Sequence, residues 1–312
     1  MNKIQTIVIC GPTASGKTAL SLALAEYFGT GIISADSRQV YKLLDIGTAK
    51  PTTEELRRAP HHFIDFLDVD EEYNAGRFGN EAYDKLLEIA GHNKLPIVVG
   101  GSGLYIKSLC EGLFEEEESE VKNEIRKELD EELKERGLDA LYNELASIDK
   151  DSYLLYKEKN PRRILRALEY YRTTGKVFSA VHKELSVERN VNPIYLLIDF
   201  PREVLYERIN MRTYKMWESG LVEEVEKILN LGYSKELNSL NTVGYKETIK
   251  FLENIYSQDE AIAEIQKNTR RYAKRQLTWC RKIQNVHYIQ ASSGFDAVIE
   301  NAIKIVSDFI RS

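Results

Sequence analysis

The octapeptide GPTASGKT at positions 11–18 has the pattern G-x-x-x-x-G-K-[ST]. It stands between a short apolar, β-branched run, IQTIVIC (4–10), and TALSLALAEYFG (18–29), whose apolar residues recur at helical spacing before a glycine suited to a helix C-cap. Strand, loop and helix in that order is the context that separates a phosphate-binding loop from a chance match. Gly11 and Gly16 permit tight turns, so that the backbone N–H groups of Thr13, Ala14 and Ser15 turn inward toward phosphate oxygens, and the helix that follows adds its positive N-terminal end. Lys17 would neutralise a terminal phosphate, and the Thr18 hydroxyl would coordinate Mg²⁺. An ordinary glycine-rich turn leaves Lys17 and Thr18 unexplained.

Further β-rich runs occur at 31–36 (GIISAD), 95–101 (LPIVVGG), 192–200 (NPIYLLIDF) and 285–290 (NVHYIQ), and helical patterns at 76–91, 203–231, 244–255 and 258–284 separate most of them. Buried strands alternating with helices predict a parallel α/β sheet. Between about 115 and 190 the alternation stops, leaving helical patterns at 119–136, 138–146 and 161–173 and no strand. The expected fold is α/β, a P-loop NTPase-like parallel-sheet core (1–115 and 190–312) with an all-helical insertion domain (116–189).

Composition constrains the partners. The 312 residues carry a net charge of −6 and 43% apolar residues, enough for a substantial core. No apolar run reaches the ~20 residues of a membrane helix, and no secretory leader pattern opens the chain, so the expectation is a cytoplasmic protein with no membrane partner. Cys10, Cys110 and Cys280 lie far apart without a CxxC pair, which argues against a disulfide framework or zinc site. Mild acidity argues against nucleic acid until the charge is mapped. Residues 115–136 hold eleven acids and five bases, whereas 157–176 holds seven bases and two acids and 266–284 seven bases and no acid. On a helix, Lys267, Arg270, Arg271, Lys274, Arg281 and Lys282 fall mostly on one side, opposite Ile265, Ala273, Leu277 and Cys280. Solvated helix faces are the plain reading of each tract. Two tracts interleaved with Tyr170, Tyr171, Tyr272 and Trp279 support a polyanion surface at least as well.

The phosphate loop does not identify the reaction, because ATPases and kinases share it. DSRQVY (36–41) follows the second strand and places Asp36 at a strand's C-terminal end, where ligands bind in open α/β sheets and a carboxylate can act as general base. The alternative is Asp36 as a helix N-cap, with Gln39 completing a partial capping box. In GGSGLY (100–105) glycines would bring backbone close to a ligand and Ser102 would hydrogen-bond it, with a plain turn as the alternative. Asp199, after LLI, imitates the strand-end acid of ATPases and is read as a strand-end acid only.

GPTASGKT, ISADSRQVYKLLDIGTAKP (33–51), PHHFID (60–65), PIVVGGSGLYIKSL (96–109), NPRRILRALEYY (160–171), TVGYKE (242–247) and RRYAKRQLTWCR (270–281) together resemble the tRNA dimethylallyltransferase (tRNA isopentenyltransferase) family, over nearly the whole chain and in the family's order. The resemblance implies transfer of a dimethylallyl group from dimethylallyl diphosphate to the exocyclic N6 of an adenine next to the anticodon. Gly11 and Thr13 to Thr18 would hold the diphosphate with Arg208 and Arg212, whose alternative is a solvated helix face. Asp36 would be the base, with Lys17 and Ser102 also catalytic and Mg²⁺ on Thr18. Asp36, Ser37, Arg38, Gln39, Ser102, Glu124, Asn160, Pro161, Arg162, Arg163, Ile164, Asn241, Thr242, Val243, Gly244, Tyr245 and Lys246 would contact tRNA, and the basic residues Arg270, Arg271, Lys274 and Arg275 would grip its phosphates. A monomer is implied. Ser102 stands where many members have Thr, which keeps the hydroxyl, and Leu43-Leu44 departs from the usual pair before DIGTAKP, which puts the local loop shape in question. The competing readings are an adenylate isopentenyltransferase acting on free nucleotide, a small-metabolite kinase with ATP in the loop, and a non-catalytic RNA-binding module.

Overall fold

A computed structural model of the chain describes residues 3–113, 119–180, 189–292 and 294–311. They form two compact units, Met1–Gly112 with Arg189–Ser312, and Leu113–Glu188. The expected domain boundaries lay at 115/116 and 189/190, three residues from one division and one from the other.

In the first unit the elements run β1 (Ile4–Cys10), α1 (Lys17–Phe28), β2 (Ile32–Ser34), α2 (Thr53–Arg58), β3 (His61–His62), α3 (Ala75–Gly91), β4 (Ile97–Gly100) and α4 (Gly103–Glu111). In the second unit lie α5 (Glu120–Ile148), α6 (Lys150–Leu155) and α7 (Pro161–Thr174). The first unit then resumes with β5 (Val191–Asp199), α8 (Arg202–Glu218), α9 (Leu221–Asn230), α10 (Tyr245–Leu252), α11 (Gln258–Cys280), β6 (Val286–Gln290) and α12 (Phe295–Arg311).

The sheet has the order β3-β2-β4-β1-β5-β6, and every pair is parallel. The β-branched residues of β1 are buried on both faces, as a central parallel strand requires, with Ile7, Val8 and Ile9 all at 0% exposure. Leu20 and Leu24 of α1 and Val298, Ala302 and Val306 of α12 cover the sheet in one apolar cluster with Ile7, Ile9 and Leu196. Each fully buried Leu, Ile or Val of this cluster contributes roughly 1.5–3 kcal/mol. In register, Cys10 pairs with Gly100 on one side and Leu197 on the other, so β1 and β4 end level and β5 runs two residues further, to Asp199. The loops after β1, β2 and β4 therefore leave the same edge, the carboxyl edge at which open α/β sheets bind ligands.

Several elements differ from the expected spans. The helix expected over 203–231 is two, α8 and α9, because Gly220 takes a left-handed φ of 99°. The helix expected to 284 ends at Cys280, which leaves Arg281 and Lys282 past its end. GGSGLY is no plain turn, since α4 begins within it. The short α2, β3 and α6, and the C-terminal α12, had no sequence assignment, although Val298, Ala302 and Val306 follow helical spacing.

Every described element of the second unit is helical. Gly137, at φ 76° and ψ 165°, interrupts α5 where the sequence pattern divides 119–136 from 138–146. The core joins Leu129, Leu141 and Leu145 of α5 to Ile164, Ala167 and Leu168 of α7. Asn160 caps α7 by accepting from the Arg163 N–H at 3.4 Å, and Pro161 occupies the first turn, where its missing N–H costs nothing.

Candidate active site

The phosphate loop is built by left-handed backbone at Ala14 (φ 65°) and Gly16 (φ 88°), the latter the N-cap of α1. The turn folds Lys17 back so that its Nζ donates to the Pro12 carbonyl at 2.7 Å. Ser15 is buried, and its hydroxyl has no partner among the described residues. Helix α8 supplies the two arginines singled out by their i, i+4 spacing. Arg208 donates from Nε to the Ala14 carbonyl at 2.8 Å and lies 4.9 Å from the centre of the Phe200 ring. Arg212 interacts electrostatically with both Lys17 and Asp36. Burial first, and then the Arg212 charge, push Lys17 down to about 8, with Asp36 opposing. Burial likewise holds Arg212 below the usual guanidinium value, again with Asp36 opposing. Two poorly solvated cations share one nearby carboxylate, which leaves a positive excess suited to a diphosphate.

Thr18 is the second residue of α1. Among the described residues no cluster of three or more His, Cys, Asp or Glu is present that would hold a metal. A cation here would therefore rely on the Thr18 hydroxyl and on oxygens of a bound ligand, a donor set suited to hard Mg²⁺, and the unpartnered Ser15 hydroxyl in the same loop fits a site completed by a polar ligand.

Asp36 follows β2. Its Oδ1 accepts from the N–H groups of Arg38 at 2.9 Å and Gln39 at 3.4 Å. These are capping-type bonds, but a turn and no helix follows, so the N-cap alternative is realised only as an Asx turn. Oδ2 accepts no hydrogen bond among the described residues and is available as a base. Ser102 joins this loop to the one after β4, accepting from the Ser37 N–H at 3.1 Å and donating to the Ser37 hydroxyl at 3.3 Å.

Helix α11 closes the group with Gln276, not anticipated from sequence, and with Tyr272, read from sequence only as an aromatic of the basic tract. Gln276 accepts from the Thr13 N–H at 2.9 Å and donates to the Gly101 carbonyl at 3.1 Å, tying the phosphate loop to the Ser102 loop. A Cβ on Gly101 would lie 2.0 Å from the Gln276 amide nitrogen, so a side chain there would displace that amide from its present bonds. One turn earlier, burial and the charge of Asp36 push the Tyr272 phenol up to about 12, against opposing effects of Ser102, Arg38 and Arg275. A buried polar residue within an otherwise apolar stripe was the available signal, since Gln276 is 6% exposed between Ala273 and Cys280.

Of the remaining expected contacts, Ser37, Arg38 and Gln39 are half-buried, and Arg271, Lys274 and Arg275 are exposed on α11. Arg270 is half-buried and donates to Asn210 at 2.7 Å. Asn241 is exposed, Thr242, Val243 and Lys246 are half-buried and Gly244 is buried. Within the second unit Glu124, Asn160, Pro161, Arg162 and Arg163 are exposed. Two expectations are corrected. Ile164 is fully buried in the helical core, and Tyr245 is fully buried with its hydroxyl donating to Glu224 at 2.6 Å. Their side chains support structure and do not face a macromolecule. Asp199 accepts from Gln290 of β6 at 3.0 Å, in keeping with a strand-end acid. In the departure before DIGTAKP, Leu44 is fully buried and Leu43 has a φ of 65°.

A parallel sheet whose central strand feeds a phosphate loop, with a carboxylate and a hydroxyl on the neighbouring loops, defines a P-loop-like α/β protein. The family model described as IPP transferase matches residues 39–283, and the chain belongs to that family. It is 42% identical over 308 residues to tRNA dimethylallyltransferase 1 of Syntrophotalea carbinolica, covering 97% of this chain and 95% of that one. It is 45% identical over 287 residues to the tRNA dimethylallyltransferase of Acetivibrio thermocellus, covering 91% of each. Among solved structures, tRNA delta(2)-isopentenylpyrophosphate transferase of Staphylococcus epidermidis is 38% identical with a TM-score of 0.72, covering 99% of this chain and 100% of that one. A eukaryotic dimethylallyltransferase acting on tRNA gives a TM-score of 0.84 at 29% identity, covering 99% of this chain and 80% of that one.

Proposed function

We propose that the protein transfers the dimethylallyl group of dimethylallyl diphosphate to N6 of an adenine next to the anticodon of a tRNA. The products are N6-isopentenyladenosine and diphosphate. The observation that carries this reading is the convergence of Lys17, Arg212 and Asp36, two desolvated cations for a departing diphosphate beside one carboxylate for an incoming amine. Membership of the family and the names of the relatives support the substrates.

An exocyclic amine is a poor nucleophile, whereas an allylic diphosphate has a good leaving group and leaves a resonance-stabilised carbon. The allylic C–O bond breaks with its electron pair going to diphosphate, and the N6 lone pair forms the new C–N bond. The N–H proton passes to Asp36, whose Oδ1 is fixed by two backbone donors while Oδ2 stays available. General-base help of this kind is worth about 10²–10⁴ in rate. Lys17, Arg208, Arg212 and the loop N–H groups stabilise the negative charge that grows on diphosphate, commonly the largest catalytic contribution. Mg²⁺, held by Thr18 and diphosphate oxygens, would add Lewis-acid stabilisation of the leaving group. Ser102 fixes the loop that carries Asp36.

An adenine reaches such a pocket only out of its stack, so an anticodon loop is a better substrate than a duplex. The enzyme acts as a monomer on this reading, and no described helix is long and apolar enough to cross a membrane. The test is incubation with labelled dimethylallyl diphosphate, Mg²⁺ and, in turn, unmodified tRNA, AMP or ATP. Label on tRNA is expected. Label on AMP or ATP, or ATP turnover with no transfer, overturns the assignment.

A further inference from the structure

The loop after Leu43 is held from outside by one side chain of α9. The Glu224 carboxylate accepts from three successive backbone N–H groups, those of Asp45 at 3.1 Å and Ile46 at 2.7 Å on Oε2 and that of Gly47 at 3.1 Å on Oε1. The Tyr245 hydroxyl adds a fourth donor at 2.6 Å. The Tyr245 ring lies on Gly47 so closely that a Cβ there would sit 2.3 Å from it. A carboxylate satisfied by four donors is a strong, directional anchor, because hydrogen bonds to a charged acceptor exceed neutral ones.

The anchored segment continues into Thr48 and Ala49. Their carbonyls accept the Gln39 side-chain amide at 3.3 and 3.1 Å. The Gln39 backbone N–H, with that of Arg38, donates in turn to Asp36 Oδ1. A path of hydrogen bonds joined by the backbone of residues 45–49 thus runs from Glu224 through Gln39 to the carboxylate at the reaction centre. Lys50 closes the far end of the same loop on the Tyr41 carbonyl at 2.9 Å, on Asp45 at 2.5 Å and on Asp65 at 2.8 Å. None of this path touches the phosphate loop.

We propose that Glu224 is a positioning residue for Asp36. By clamping residues 45–47 it fixes the two carbonyls that hold Gln39, and through Gln39 it sets the direction of the Asp36 carboxylate. The assignment rests on Asp36 being the base for the amine, as proposed above. It predicts a defect in the transfer step and none in diphosphate binding, because a misdirected base slows proton removal while the phosphate loop stays intact. Misplacing a reacting group by about 1 Å can cost about a hundredfold.

The test is single-turnover transfer at saturating dimethylallyl diphosphate and anticodon stem-loop, with calorimetric diphosphate binding and amide hydrogen exchange on the same proteins. Glu224→Ala and Gln39→Leu should each slow transfer by about tenfold to a hundredfold, with diphosphate affinity unchanged within about twofold and faster exchange at residues 45–47 in Glu224→Ala. The double variant should be no slower than the slower single one, since both cut one path. If Glu224→Ala does not fold, Tyr245→Phe, which removes one of the four donors and keeps the ring, should cost about threefold in transfer. A Glu224→Ala enzyme within twofold of wild type, losses that multiply in the double variant, or a loss explained by weaker diphosphate binding overturns the inference. A wild-type protein that transfers nothing overturns the reaction itself, and the exchange data still report whether Glu224 holds the loop.

Discussion

Helices α7 and α11 come from sequence tracts with the same number of bases, seven in 157–176 and seven in 266–284, yet their charges have different fates. In the helical unit three of the seven, Lys159, Arg166 and Arg172, are taken up in ion pairs, while Arg162 and Arg163 stay exposed. Arg166 pairs with Glu169 at 2.8 Å, and Arg126 joins the same 5%-exposed carboxylate at 3.2 Å. Arg172 bridges Glu132 at 2.6 Å and Glu144 at 2.7 Å, and Lys159 meets Asp139 at 2.6 Å. Glu132 belongs to the acidic tract 115–136, so the most acidic segment and one of the two most basic segments meet in the Arg172–Glu132 and Arg126–Glu169 pairs within one unit. On α11 only Lys267 forms a salt bridge among the described residues, with Glu264 at 2.7 Å, and Arg271, Lys274 and Arg275 stand exposed without one. Lys17 and Arg212 complete the contrast, as cations near one carboxylate with no salt bridge among the described residues. A count of bases therefore does not predict a binding surface. What matters is whether the fold brings acids to them.

The largest effects should come from the cations and carboxylate left for a ligand. Lys17→Ala is expected to abolish measurable diphosphate binding in calorimetry and to lower transfer by orders of magnitude, while folding is kept. Asp36→Asn should keep diphosphate affinity and lose about 10²–10⁴ in turnover. Near-normal turnover in Asp36→Asn would remove the base from the mechanism. Unchanged diphosphate affinity in Lys17→Ala would place Lys17 with the structural cations of α7.

This contrast also marks where the sequence was legible. The strand, GPTASGKT and the helix are contiguous, so local chemistry alone shows the loop, and Asp36 and Ser102 stand directly after strands. Gln276 and Glu224 lie 263 and up to 179 positions from the backbone groups they hold, and no local pattern announces such partners. Arg208 and Arg212 were visible as a spaced pair, but only the fold brings Arg208 onto Ala14. Ile164 and Tyr245 misled for the converse reason, since residues beside exposed polar neighbours face inward once the helix phase is set. Gly220 broke a helix that apolar spacing alone made continuous.

Breaking a paired cation should cost stability and leave ligand binding alone. Arg172 and both its partners are only 22–25% exposed. Arg172→Ala should destabilise the helical unit by about 1–3 kcal/mol in denaturant unfolding, with diphosphate affinity unchanged. A smaller effect is expected from pH. In the free protein Lys17 sits near 8, below its ordinary 10.5, and diphosphate prefers the charged amine. Affinity should hold below pH 8 and then weaken by up to about tenfold per pH unit up to the ordinary lysine value. The sign for stability is opposite. Between those two values the unfolded chain binds more protons, so the free protein should gain stability relative to Lys17→Met as pH rises. Diphosphate titrations at pH 7 and 9 decide the first point, and a flat profile shows that Lys17 does not carry the binding charge.

The smallest expected effect tests the contrast between the two helices most directly. If the exposed bases of α11 contact tRNA phosphates, each releases counterions on binding, and the slope of log affinity against log salt should fall by about 0.7–0.9 for each contact removed. Arg271→Gln, Lys274→Gln and Arg275→Gln should each show this change with stability intact. Arg275 lies 5.6 Å from the centre of the Tyr272 ring, so its replacement removes a ring contact as well as a charge. Its loss at high salt should therefore exceed that of Lys274→Gln, because a ring contact is not screened as a phosphate contact is. Arg166→Gln, whose charge is already spent on Glu169, should leave the slope unchanged. An equal fall in slope for Arg166→Gln would mean that the α7 pairs open when tRNA binds, and the two helices would then share one electrostatic role.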